Sequence, residues 1–183
     1  MVGMALGLIV TSLGLAGLAA HLRESRALAS EARVMQDLRA AADAIARSAR
    51  RAGVWHEAVL YLGQGLTPEH SDWQVDDTQV HLRYQRAANE AAQHFGYRLR
   101  RGVVEVQIGA SGWQALTDDS SIVITHLQLQ PRTVETSLAT LCMKACSDDA
   151  TGCPRLEQRQ LALHLEGHAR HDSTLRRTLT TTV

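Results

Sequence analysis

The chain predicts an α+β protein in which one long N-terminal helix packs on an antiparallel β-sheet. Three observations carry this. An uncharged run opens the chain, a 3.6-period stripe continues it to about Gly53, and period-2 alternation dominates from Val80 onward.

The helix comes first. Residues 1–20 contain no charged side chain, and only Thr11 and Ser12 interrupt the apolar run. At about 1.5 Å per residue the run is roughly 30 Å long, the thickness of a bilayer's hydrocarbon core. His21, Arg23 and Glu24 end it, and no Pro or loop signal follows. Leu28, Met35, Leu38, Ala42, Ile45, Ala49 and Ala52 then fall on one stripe, with charges on the other faces. Gly53, after Arg50 and Arg51, reads as a C-cap. The expected division is residues 1–21 as a membrane and assembly half, 22–53 as an amphipathic half, and 54–183 as a β-rich globular domain. A helix of roughly 78 Å cannot fit inside a domain about 35–40 Å across, so its first half must protrude.

A secretory signal peptide is the competing reading of the opening run, with Ala16, Ala19 and Ala20 as mimics of a cleavage site. The run is too long for one, lacks a basic leader segment, and continues into helix. Arg23 and Arg26 after the span place the domain in the cytoplasm by the positive-inside rule; a basic leader ahead of Met1 reverses that count.

Within the run, Gly3 and Gly7 form a small-xxx-small pair, and Gly14 and Gly17 add a second notch. Such spacing lets helices approach closely in lipid. From Leu22 to Ala52, seven Arg stand against four acids, a solvated face or a surface for acidic neighbours. The whole chain balances 19 basic residues against 19 acidic ones, which gives no general case for nucleic acid.

Residues 54–77 read as an irregular connection, with Trp55, Tyr61 and Trp73 as its anchors. Val80, Leu82 and Tyr84 then alternate with polar residues. Phe95–Leu99 and Val104–Ile108 form a hairpin about Gly102, followed by a turn to Trp113 and Leu116. Ile122 and Ile124 have the opposite parity to Leu127 and Leu129, which a bulge near Thr125–His126 reconciles. Leu161, Leu163 and Leu165, then Leu175, Leu179 and Val183, complete a sheet with one wet face.

Cys142, Cys146 and Cys153 stand close together. A Cys146–Cys153 disulfide is the first reading in an extracytoplasmic domain, and Cys142–Cys153 is its competitor. Zinc held with His164, His168 or His171 is the sharper alternative, but the spacing matches no common zinc signature. His164 and His168 would share a strand face about 13 Å apart, too far for one ion. No Gly-rich phosphate loop, nucleophile elbow or H-E-x-x-H occurs. Asp76–Asp77, Asp118–Asp119 and Asp148–Asp149 read as solvated turns. The expectation is no enzyme, no cofactor and no metal.

The opening Met1-Val2-Gly3-Met4-Ala5-Leu6-Gly7-Leu8-Ile9 resembles the stretch after the prepilin peptidase motif of type IV pilin-like proteins. The segment from Gln36 to Arg50-Arg51-Ala52-Gly53-Val54-Trp55 is similar to the end of the long helix in PilW-type minor pilins. The closing Arg176-Arg177-Thr178-Leu179-Thr180-Thr181-Thr182-Val183 resembles their final strand. The likeness covers the first 55 residues well and the rest by layout. A leader, a cleavage site and the family's glutamate near the mature N-terminus are departures, so no processing residue is carried over; a start upstream of Met1 and an end beyond Val183 are expected.

The resemblance implies a pilin-like fold, a single pass through the bacterial inner membrane, a periplasmic domain, and a place in the pilus after assembly. It implies a minor-pilin complex that primes assembly and sits at the tip, serving adhesion, twitching motility or DNA uptake. Its partners would be other minor pilins and the major pilin through the helix, with a tip adhesin beyond. The alternatives are a type II secretion pseudopilin of the J type, and a membrane-tethered periplasmic binding or sensor domain.

Overall fold

The computed structural model describes residues 2–54, 73–76, 78–85, 87, 89–141 and 155–183. One helix, α1 (Val2–Arg51), runs unbroken through the sequence's switch from apolar to amphipathic. Fifty residues at about 1.5 Å each make it roughly 75 Å long. No Pro or inserted side chain interrupts it, which is why it continues.

Among the described residues the head forms two antiparallel sheets where the sequence predicts one. The first orders β1 (Trp73–Asp76), β2 (Gln79–Tyr84), β3 (Gln93–Arg100), β4 (Val103–Ile108) and β5 (Gln114–Ala115). The second orders β6 (Ile122–Ser137), β7 (Arg155–Ala169) and β8 (Asp172–Thr182). The break falls after β5, because β6 pairs forward with β7 rather than back with β4. Alternation fixes which face of a strand is apolar, not which neighbour it takes.

The two inner faces and the second half of α1 enclose a single core. Val34, Leu38, Ala41, Ala42, Ile45 and Ala49 supply the helix's share, against Val80, Leu82, Tyr97 and Val104 from one sheet. Ile122, Ile124, Leu127, Leu129, Leu161, Leu163 and Leu165 supply the other. The helical contribution begins at Val34. Leu28, placed on the stripe by its spacing, is 61% exposed because the rod has already left the head at that level.

The parity switch in β6 is realised as a register shift between Ile124 and His126. Beyond the core, β6 and β7 run on as a two-stranded ribbon. Arg132–Ser137 pairs with Arg155–Gln160, and every side chain in it is exposed. Alternation vanishes where neither face is buried. Trp73, expected in an irregular connection, lies in β1 and packs partly against the core; Trp55 and Tyr61 lie outside the described residues.

Candidate functional site: a free rod and the joint that holds it

From Val2 to about Ser30, α1 projects from the head. Every residue from Ala20 to Ser30 is exposed, as are Leu15 and Leu18. Leu15, Leu18, Leu22 and Leu28 are 68%, 55%, 47% and 61% exposed. Four large apolar side chains on one protruding element form a surface that calls for a partner, a lipid or both. At about 100° per residue, Leu15, Leu18 and Leu22 lie on the side turned away from Leu38, Ile45 and the head.

The glycines complete this surface. A Cβ added at Gly3, Gly7, Gly14 or Gly17 would meet nothing within 4 Å, so all four positions face open space. At about 100° per residue the four lie within roughly 80° of one another. They therefore form one smooth strip on which another backbone could approach closely. Among the described residues, no helix is long and apolar enough to cross a membrane.

The rod is fastened to the head at three levels. At the exit, Arg177 Nε donates to Glu31 Oε1 at 3.1 Å, and Ser121 Oγ donates to Asp37 Oδ2 at 2.8 Å. In the middle, the Tyr97 hydroxyl donates to the Ala44 carbonyl at 3.2 Å and lies 2.7 Å from Ser48 Oγ. Burial pushes the Tyr97 phenol above its ordinary 10.0, while the Ser48 hydrogen bond and the charges of Arg47 and Arg51 act the other way. At the top, the Gly53 N–H donates to the Arg83 carbonyl at 3.0 Å, and the Gln85 N–H to the Val54 carbonyl at 2.8 Å. Gly53 has φ +80°, the left-handed cap its position predicts. Apolar packing between these ties makes helix and head one piece.

The outer face of the first sheet carries a polar-aromatic cluster that periodicity does not reveal. Arg98 sits 4.0 Å over the Trp113 ring and its Nε donates to Glu105 Oε2 at 2.7 Å. His81 meets the same ring edge-on at 5.9 Å. Trp113 reaches over Gly96, where a Cβ would come 2.9 Å from its Cη2. A lone glycine between Phe95 and Tyr97 in a strand is the one sequence signal of such a close approach. The cluster covers the middle of the sheet's outer surface, and two open hollows flank it, one beside His81 and Gln79 and one beside Glu105 and Arg100.

The histidines separate. His164 lies 2.9 Å from Thr180 Oγ1 and faces His126 across the ladder, with ring centroids 5.7 Å apart. His168 Nδ1 lies 2.9 Å from the Ala169 carbonyl, and His171 is exposed in the turn before β8. Among the described residues, no group of three or more His, Cys, Asp or Glu could hold a metal. Cys142, Cys146 and Cys153 lie outside the described residues, and with them the disulfide and zinc readings.

A continuous helix free along its first half, and built into a β-rich head along its second, is the architecture of a pilin-like subunit. The family model of prepilin peptidase-dependent protein B (PpdB) matches residues 27–183, and the chain belongs to that family. No curated protein and no solved structure matches it.

Proposed function

We propose that this protein is a minor pilin of a type IV pilus, of the PilW type. It would be a structural subunit of the complex that primes assembly and sits at the tip, contributing to adhesion, twitching motility or DNA uptake. The uncharged opening of α1 spans the inner membrane before assembly, and the head lies in the periplasm. After extraction the same surface packs against the helices of other minor pilins and the major pilin, with a tip adhesin as a further partner. The protein performs no catalysis.

The observation that carries this reading is the rod from Val2 to Ser30, with exposed leucines and an open glycine strip fused to a head that needs neither for its own core. A plain tether requires only a greasy span; it does not require apolar and small residues sorted onto particular faces.

The test is Gly3→Leu with Gly7→Leu in the full-length protein. Pilus number should fall while the head's unfolding midpoint and the amount of protein in the inner membrane stay unchanged. Normal piliation at normal protein levels would sink the assembly role and leave the tether. Scoring secretion beside piliation in the same strain separates a pilus subunit from a J-type pseudopilin.

A further inference from the structure

Six residues of α1 stand seven apart: Leu15, Leu22, Ala29, Gln36, Asp43 and Arg50. All six are exposed. At about 100° per residue they drift by roughly 20° per heptad around the side turned away from the head. This is the geometry of a seam that receives a second helix alongside, in a gentle left-handed supercoil.

The chemistry of the seam changes with height. It is leucine at the bottom, small or neutral in the middle, and charged at the top. Between Arg39 and Arg51 it presents Arg39, Arg47, Arg50 and Arg51 against a single acid, Asp43, all exposed. None of these five joins an ion pair among the described residues. The head has meanwhile taken two of the helix's acids: Glu31 is held by Arg177, and Asp37 by Ser121. Folding therefore leaves the outward face more basic than the sequence of the helix alone.

We propose that this seam receives the helix of a different sibling subunit, parallel to α1 and carrying Asp or Glu at the level of Arg39–Arg51. The inference rests on reading α1 as an assembly rod and adds the identity of its neighbour. Charge complementarity selects the partner. A second copy of this chain is disfavoured: held parallel in the same membrane, it brings four arginines and one acid against four arginines and one acid. No axial stagger pairs them all. The seam thus places this subunit beside an unlike one.

The test uses the full chain in phosphatidylcholine vesicles and two labelled peptides of residues 1–53. One has the native sequence; the other carries Arg39→Glu, Arg47→Glu, Arg50→Glu and Arg51→Glu. Energy transfer should report association of the chain with the acidic peptide about tenfold tighter than with the native one, an advantage that fades in high salt. The Arg47→Glu, Arg50→Glu chain should lose that preference. Equal association of both peptides would overturn the charge selection while leaving the assembly rod intact. Association of neither would overturn both. Tight binding of a DNA duplex of about 20 base pairs that depends on Arg47 and Arg50, without discrimination between the peptides, would reassign the arginines to nucleic acid.

Discussion

Two residues at the tip of one hairpin fix how the sheets meet. Arg101 and Gly102 both have positive φ, 52° and 80°, which is the two-residue turn that suits a twisted hairpin. The Gly102 carbonyl accepts from the Ile124 N–H at 2.8 Å, and a Cβ at Gly102 would come within 2.9 Å of Val123 Cγ1. Gly102→Ala meets both the backbone penalty and the close approach, and should cost about 1–3 kcal/mol in urea unfolding. An effect below about 0.5 kcal/mol would mean the turn is not wedged against β6. Tyr97 gives a second prediction at this scale. Its folded pKa is raised by burial, so the stability it contributes is fully present below its unfolded value of 10.0 and is lost as pH rises through the higher folded value. The unfolding midpoint should therefore fall as pH rises above about 10, and fall less in Tyr97→Phe. Equal losses in both proteins would remove Tyr97 as the cause.

At the scale of the element, α1 divides into a half that stabilises the head and a half that does not. Leu38 is fully buried, and Leu38→Ala should cost about 2–5 kcal/mol of head stability. Leu22→Ser, on the exposed stretch, should stay within about 0.5 kcal/mol. A large loss from Leu22→Ser would mean the head reaches further down the rod. The division was legible only in part. The stripe from Leu38 to Ala49 was readable from its spacing, because Leu38, Ala42, Ile45 and Ala49 face a core. Met35 is half-buried, and Val34 takes the core place at that level. Leu28 continues the same arithmetic into solvent, and nothing in the spacing marks where the head stops. The strands repeat the lesson. Ile122 to Leu129 and Leu161 to Leu165 announce themselves because one face of each is buried, and even the bulge follows from their parity. The ribbon halves at Arg132–Ser137 and Arg155–Gln160 are exposed on both faces, so no alternation records them. The ties that lock the rod, Glu31 to Arg177 and Ser48 to Tyr97, join residues far apart in sequence and have no local signature. The free helix, the candidate site itself, was the most legible part, since its uncharged run and glycine spacing are properties of one continuous stretch.

For the whole molecule, these halves make α1 three zones in series. Residues 2–20 are uncharged, 21–30 carry the first charges and are exposed throughout, and 31–51 are built into the head. Each zone protects its backbone amides differently. The top zone is shielded by tertiary packing whatever the surroundings, and should open only with the head. The middle zone has helical hydrogen bonds but no cover, and should exchange quickly in any medium. The bottom zone has no cover of its own either, so lipid alone can shield it. Hydrogen exchange of the full chain should therefore show slow amides at 31–51 in both detergent-free buffer and vesicles, and slow amides at 2–20 in vesicles only. The fast segment between them should persist, because about 15 Å of helix separates the end of the uncharged run from the head. Fast exchange of 2–20 after insertion into vesicles would remove the membrane span from the proposed function. Protection extending through 21–30 would instead bring the head down onto the bilayer surface, leaving no gap for a neighbour's helix to enter the seam above the lipid.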